Sequence, residues 1–261
     1  MKAPDGGQPV VRLDLRDGVA TITLDRPAKK NALAVEDMGR LAELLGEAQA
    51  GGARAILLRG AGGSFCAGRD LDGVDPATDD TLTVLRKCIT PVLEAVRRCP
   101  LPTVASVEGP ALGFGFGLAM ACDIVQVSET ARLGSPFRAI GLVLDSGGHH
   151  TLRERLGRAK AIELIMTGRL FSGLEAARMG LVNQAYPAPE LAAASERLAR
   201  DLAQGPTLAF AASKRILDEA TTYAEVCEME AQAQAQLMRT RDATEGLAAF
   251  RQKRTPRFTA Q

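Results

Sequence analysis

Twice in this chain a short apolar strand pattern runs into a glycine-rich turn and then into apolar, helix-forming sequence. Ala55 to Leu58 leads into the loop Gly60 to Gly68, and Thr103 to Val107 leads into Gly109 to Gly117, followed by Leu118 to Ala121. Strands that are apolar throughout belong in a sheet covered on both faces. Their repetition with helices between them predicts stacked βα or ββα units with buried parallel strands. Glycine permits positive φ and lets backbone amides approach a ligand with no Cβ in the way. A glycine turn feeding a helix also aims free N–H groups and the positive helix end at one point, so two such turns converging suit an oxyanion. Neither turn is a nucleotide fingerprint: no Gly-Lys-Ser/Thr tripeptide occurs, and Gly113-x-Gly115 is followed three residues later by Leu118.

The rest of the pattern fits around this pair. Val10 to Leu15 and Val19 to Leu24 alternate apolar and polar about the turn Arg16-Asp17-Gly18, which predicts a hairpin. Val35, Met38, Leu41, Ala42, Leu45 and Ala48 share one face of a helix, and Thr83 to Arg98 reads as a second amphipathic helix halted by Pro100 and Pro102. Helical pattern is expected from Arg158 to Gly180, with Gly168 closing one helix and Ser172-x-x-Glu175 capping the next, before a last strand at Leu181 to Ala185. After Pro187 the composition shifts to Ala, Glu, Gln and Arg. Pro206, Thr222-x-x-Glu225 and Asp242-x-x-Glu245 mark three further helix starts. The expected division is a core over residues 1–200 and a helical region over 201–261 that packs on the core or on a neighbouring subunit.

Charge and cysteine content exclude several classes. Lys plus Arg number 32 against 31 Asp plus Glu, so there is no global basic field for nucleic acid or an anionic membrane surface. The apolar run Pro110 to Val125 is short of the roughly 20 residues of a spanning helix, and MKAPDGGQPV lacks a signal-peptide core. A cytoplasmic protein is expected. Five scattered cysteines with no C-x-x-C pair read as reduced thiols rather than a disulfide framework or a zinc site.

The segments SFCAGRDL (64–71) and ALGFGFGLAMACDI (111–124) resemble the two oxyanion segments of the enoyl-CoA hydratase/isomerase, or crotonase, family. LDRPAKKNAL, TGRLFSGLEAARMGLVN and EGLAAFRQKRTPRF resemble further family segments in the family's order, so the likeness spans essentially the whole chain. It implies an α/β fold, a spiral of ββα units with a C-terminal helical region that makes a homotrimer, often paired into a hexamer. It also implies a coenzyme A thioester as substrate, with no separate cofactor and no metal. On this resemblance the oxyanion donors are the backbone N–H groups of Arg69 and Phe114, flanked by Gly68, Gly113 and Gly115. Ala67, Asp70 and Leu71 line the adenine and pantetheine path, Arg26 and Lys29 meet CoA phosphates, and Phe250 and Lys253 approach the nucleotide of an adjoining subunit. Enolate chemistry beside a thioester puts negative charge on the carbonyl oxygen, and losing one fixed donor in such a site costs about 3 kcal/mol.

Family hydratases are expected to use two glutamates, and the positions that resemble them here hold Gly117 and Phe137. Asp145, in GLVLDSGGHH, lies where enoyl-CoA isomerases and epoxyphenylacetyl-CoA isomerase-type members carry an acid. One carboxylate beside an oxyanion hole suffices to move an α-proton to the γ carbon, given a pKa raised by burial among Leu142, Val143, Leu144 and the Ser146-Gly147-Gly148 turn. Asp followed by Ser-Gly-Gly equally suits a turn or a helix N-cap. His149 and His150 are second acid/base candidates, with a helix-start pair as the alternative. Adjacent histidines diverge on a helix and make no metal site, and Ser146 with His149 makes no obvious nucleophilic triad. Double-bond or ring isomerisation through Asp145 is the leading expectation. Hydration, C–C cleavage or thioester hydrolysis on the same scaffold, or a non-catalytic CoA-binding assembly subunit, stand as alternatives. Residues Thr81 to Ile89, Phe114, Phe116 and Phe137 would shape the acyl pocket.

Overall fold

The computed structural model describes residues 9–261. The hairpin is strands β1 (Val11–Arg16) and β2 (Val19–Leu24), joined antiparallel with Val11 opposite Leu24. It opens a six-stranded sheet continued in parallel by β3 (Ala55–Gly60), β4 (Thr103–Val107), β6 (Ile124–Ser128) and β9 (Gln184–Tyr186), in the order β1-β2-β3-β4-β6-β9. A three-stranded sheet is set off by β5 (Pro110–Leu112), β7 (Arg132–Gly134) and β8 (Phe171–Ser172). β5 and β7 run parallel, and β7 and β8 antiparallel.

Side-chain alternation sorts the main sheet into two layers. Ala20, Ile22, Leu24, Ile56, Leu58, Ala105, Val107, Val125 and Val127 face the principal core, shared with helices α1 (Val35–Ala50), α3 (Thr90–Arg97) and α4 (Phe114–Ala121). Val19, Ala55, Leu57 and Val104 face the other way, against Ala199 and Ala203 of α7 (Ala188–Gln204). Burying each such Val, Leu or Ile side chain contributes about 1.5–3 kcal/mol, which is why strands with no polar face were legible as doubly covered.

The connections contain five departures from the pattern expected of the sequence. Helix α4 starts at Phe114, not Leu118, and its glycines at 115 and 117 face Cys66 and Ser146 of the same chain so closely that there is no room for a Cβ. A helical stretch from Gly148 precedes the helix expected at Arg158: α5 (Gly148–Thr167) is broken at Gly157, φ 74°, so the expected start holds and the turns before it are the addition. Strand β9 covers only the end of the predicted 181–185 segment. The third C-terminal start is capped by Thr240 rather than Asp242. The second amphipathic helix runs from α2 (Thr81–Val84) through a π turn at Leu85–Ile89 into α3, with Pro91 near the junction.

Beyond α6 (Gly173–Arg178) and α7 come the C-terminal helices α8 (Thr207–Glu219), α9 (Tyr223–Leu237) and α10 (Arg241–Gln252). Two cations tie them to the core. The Arg54 guanidinium donates to the carbonyls of Gly205 and Phe258 and to the Thr207 hydroxyl. Lys214 donates to the carbonyls of Cys99 and Leu101 and to Asp123. Buried Asp242 accepts from the amides of Thr259 and Ala260, folding the last residues back on α10. Among the described residues no helix is long and apolar enough to cross a membrane, and no cluster of three or more His, Cys, Asp or Glu gathers as for a metal ion.

Candidate active site

The two glycine loops interlock. An ideal Cβ on Gly115 would lie 2.2 Å from the Cys66 carbonyl oxygen, and one on Gly68 would lie 2.9 Å from the Leu112 carbonyl and 3.7 Å from the Phe114 nitrogen. Backbone hydrogen bonds between Cys66 and both Pro110 and Leu112 stitch the contact. Only glycine allows this approach, and at Gly68 the φ of 110° independently requires it.

Hydrogen-bond accounting around the contact identifies which amides remain free. In the first loop the Ala67 amide donates to Lys30, the Gly68 amide meets the Cys66 sulfur, and the Asp70 amide donates to Leu33. Arg69 sits in a parallel bridge with Leu33, in which only its neighbours pair, so its own N–H faces away. In the second loop the Gly113 amide donates to Gly134, and the helical ladder of α4 begins with the Gly117 amide donating to Gly113. Phe114, at the first position of the helix, therefore has an N–H with no intrahelical acceptor. Among the described residues neither the Arg69 nor the Phe114 amide donates a hydrogen bond, and the chain on either side of each is locked in place.

Asn31 supplies part of that lock, and its role was not read from the sequence. It is fully buried at φ 57°, donates to the carbonyls of Ala61 and Ser64, and accepts from the Arg26 amide. An asparagine ending a Pro- and Lys-rich loop, able to adopt the left-handed conformation and to satisfy several backbone groups at once, was the available signal.

Asp145 reaches this region through Gly117. A Cβ at Gly117 would lie 2.4 Å from the Ser146 carbonyl oxygen and 2.5 Å from its Cβ, so the Asp145–Ser146 turn rests directly on α4. Ser146 (φ 54°) and Gly147 (φ 74°) make the turn tight, and the Ser146 hydroxyl donates to the Asp145 carboxylate at 2.7 Å. Burial raises the Asp145 carboxyl above its ordinary value, while the Ser146 hydroxyl and the charge of Arg69 pull partly the other way. The source of that burial corrects the sequence reading: Leu142 and Val143 are exposed, at 61% and 70%, and only Leu144 is buried. The Phe137 ring packs 3.4 Å from the ideal Cβ position of Gly113, covering the second loop.

The remaining candidates separate into groups. His149 and His150 both stand exposed on the first turn of α5, and His150 pairs with Glu154 at 3.2 Å; neither ring is packed. Arg26 is ion-paired with Asp70 at 2.8 Å and Lys29 with Asp72, so the two cations and the Asp70 carboxylate are engaged with one another beside the first loop. Leu71, Phe250 and Lys253 are exposed, Phe250 at 83% and Lys253 as the left-handed cap of α10. A cleft of about 280 Å³ lies on the α7 side of the sheet among Arg12, Arg59, Ser106 and Glu108 and touches only the start of the first loop, at Gly60 and Ala61; another of about 210 Å³ lies between the C-terminal helices; neither is lined by Arg69, Phe114 or Asp145.

Interleaved glycine turns that leave amides unpaired in each, Arg69 in the first and Phe114, Gly115 and Phe116 in the second, carried on a covered parallel sheet with a trailing set of helices, define a protein of the crotonase fold. Residues 14–261 match the family model described as enoyl-CoA hydratase/isomerase. A probable enoyl-CoA hydratase of Rhodobacter capsulatus is 38% identical over 96% of this chain and 98% of its own length. The 1,2-epoxyphenylacetyl-CoA isomerase of Escherichia coli is 34% identical over 94% and 96%. The crystal structure of an enoyl-CoA hydratase from Bacillus anthracis superposes with a TM-score of 0.91 at 30% identity, over 97% of this chain and all of that one. The chain belongs to the enoyl-CoA hydratase/isomerase family, the acyl-CoA enzymes of this fold.

Proposed function

We propose that this enzyme isomerises an unsaturated or ring-containing acyl-CoA, with Asp145 as the acid/base and the Arg69 and Phe114 amides as the oxyanion hole. The observation that carries this reading is the packing of Ser146, which adjoins a half-buried Asp145 carboxyl of raised pKa, on Gly117 of α4, the helix that opens with the unpaired Phe114 amide. With a β,γ-enoyl thioester, ionised Asp145 would take the α-proton, and the C–H electrons would pass into an enolate whose oxygen accepts from both amides. Protonated Asp145 would return the proton at the γ carbon as the double bond settles at α,β. No water enters and none leaves. Two fixed donors favour the enolate without reorganisation, and a carboxylate whose pKa is drawn toward neutrality is the stronger base.

The two positions that the family resemblance assigns to hydratase carboxylates hold Gly117 and Phe137, neither of which can position or activate water. This favours isomerisation over hydration, although several relatives carry the hydratase name. The test is incubation with a β,γ-enoyl-CoA in deuterated water, followed by mass and NMR analysis of the product. The reading expects α,β product of unchanged oxygen content and loss of turnover in Asp145→Asn. A product heavier by one water, or an Asp145→Asn enzyme of full activity, overturns it. Exposed Phe250, Tyr223 and Leu217 on the C-terminal helices support assembly into a homotrimer or a hexamer. Light scattering would then give about three or six times the 27.6 kDa chain mass.

A further inference from the structure

Ser146 stands in a conformation that serine rarely adopts, at φ 54°, beside Gly147, which adopts it without strain. Strain of this kind persists where the surroundings hold it, and it collects at functional sites. The surroundings are plain: the Ser146 backbone is pressed onto α4 at Gly117, and the Gly148 amide donates to the Asp145 carbonyl at 3.0 Å, closing the turn. The side chain is what a glycine there would lack. Its hydroxyl donates to Oδ1 of Asp145 at 2.7 Å, the only hydrogen bond that either side chain makes among the described residues. An ionised carboxylate only accepts, so the hydrogen lies on the serine oxygen. No salt bridge reaches the carboxylate among the described residues. Helix α4 carries no charge; on α5, His149 is exposed and His150 pairs with Glu154. Arg138, from the short turn Phe137–Ile140, donates to the Thr167 carbonyl, and Arg69 of the first loop pairs with Asp79 at 2.6 Å.

With Asp145 as the acid/base, the carboxyl takes a proton from the α carbon, holds it while the enolate exists, and releases it at the γ carbon. It has two oxygens on which to hold it. With the proton on Oδ1, the Ser146 hydroxyl would turn its own hydrogen away from its one acceptor, leaving a partly buried donor unpaired. With the proton on Oδ2, the bond to Oδ1 is kept in both protonation states. We propose that Ser146 is a positioning residue: its hydroxyl holds Oδ1 of Asp145 and confines the travelling proton to Oδ2, so that the hydrogen removed from the α carbon is the one returned to the γ carbon. Oδ2 forms its bond to that hydrogen as the C–H pair enters the enolate, and breaks it as the enolate's electrons form the γ C–H bond. The inference rests on the proposed role of Asp145.

The test compares Ser146→Gly and Ser146→Ala with the unaltered enzyme and with Asp145→Asn. Each is given a β,γ-enoyl-CoA in deuterated water. Deuterium gained at the γ carbon is read by mass spectrometry and NMR, beside the pH profile of kcat/KM. Both Ser146 variants lose the hydroxyl, but glycine relieves the left-handed backbone and alanine does not, so their Tm values separate while their chemistry agrees. With Oδ1 freed, the proton is shared between two oxygens, and deuterium at the γ carbon rises at least about twofold in both. Loss of a hydrogen bond to the charged form lifts the acid limb of the profile by about one pH unit in both. A serine kept only for its backbone would instead leave Ser146→Gly with the unaltered enzyme's deuterium content and pH profile, any change in Ser146→Ala following its Tm. That result overturns the proposal, and with Asp145→Asn inactive it leaves the acid/base reading standing. A fully active Asp145→Asn removes the acid/base reading, and this inference with it.

Discussion

Replacing Gly117 by alanine adds a single methyl group at the point where α4 meets the Asp145–Ser146 turn. That methyl would lie 2.4 Å from the Ser146 carbonyl oxygen and 2.5 Å from its Cβ, where unstrained heavy atoms sit about 3.5 Å apart. The neighbour is backbone in a tight turn, with Ser146 and Gly147 both at positive φ, so it retreats as a unit, by about 1 Å, rather than rotating aside. Overpacking of this kind costs about 1–3 kcal/mol, offset by up to ~1 kcal/mol because alanine is the better helix former. The net loss of about 1–2 kcal/mol lowers Tm by several degrees at ~2–4 °C per kcal/mol for a chain of this size. On the reading of Asp145 as the base, a 1 Å displacement also lowers kcat by about 10²-fold. Gly46→Ala is the control: it lies exposed within α1 with nothing near its added methyl, and there the same change should stabilise by about 0.5–1 kcal/mol and leave turnover unaltered. Thermal melts and steady-state rates on both variants decide the matter. If Gly117→Ala gains stability as Gly46→Ala does and keeps its kcat, the turn does not rest on α4 and the placement of Asp145 is wrong.

Three further outcomes follow from individual side chains. The raised pKa of Asp145 means that its ionised form is disfavoured in the fold, so this group's contribution to stability declines as pH rises from its ordinary value through the raised one; Asp145→Asn should therefore hold or increase Tm at neutral pH in a differential scan while activity is lost. Arg54→Ala strands the carbonyls of Gly205 and Phe258 and should cost about 2–4 kcal/mol, seen as earlier proteolytic release of the C-terminal helices than of the core. Burial pushes the Cys66 and Cys122 thiols up to about 12, so a thiol reagent at mildly alkaline pH should label exposed Cys227 at once and reach Cys66 and Cys122 only on unfolding.

The parts of this molecule that could be read from sequence are those governed by local rules. The hairpin turn, the helix caps at Ser172 and Thr222, the left-handed close at Gly168 and the doubly covered strands each follow from a few adjacent residues. The glycine loops were legible as turns able to present amides, but glycine serves ordinary turns as well, and it was the family resemblance that marked the two as an oxyanion pair. What escaped was set by contacts distant in sequence. Helix α4 could start inside a glycine run only because Gly115 and Gly117 are pressed against Cys66 and Ser146, and no local propensity announces that. Leu142 and Val143, apolar and adjacent to Asp145, were natural candidates to bury it, yet they face outward. Arg26 and Lys29 looked like free cations until Asp70 and Asp72, more than forty residues away, were placed beside them.

The departure from the hydratase pattern and the presence of Asp145 are best understood as one structural fact. A side chain at position 117 would fill the volume that the Ser146 backbone occupies, so a glutamate there and this turn here exclude each other. Ser146 in the left-handed region carries a strain of order 1 kcal/mol, which persists only because its surroundings hold it; the contact with Gly117 is such a constraint, and the hydroxyl so placed orients the carboxylate. Phe137 belongs to the same arrangement, since its ring covers Gly113 where a charged group would otherwise meet the opening of α4. Losing two acids thus does not leave an empty version of a hydratase site. On the proposed reading it leaves one carboxyl, partly withdrawn from water, as the acid/base that works with the oxyanion amides, and that would be a sufficient set of groups for moving a proton along an acyl chain.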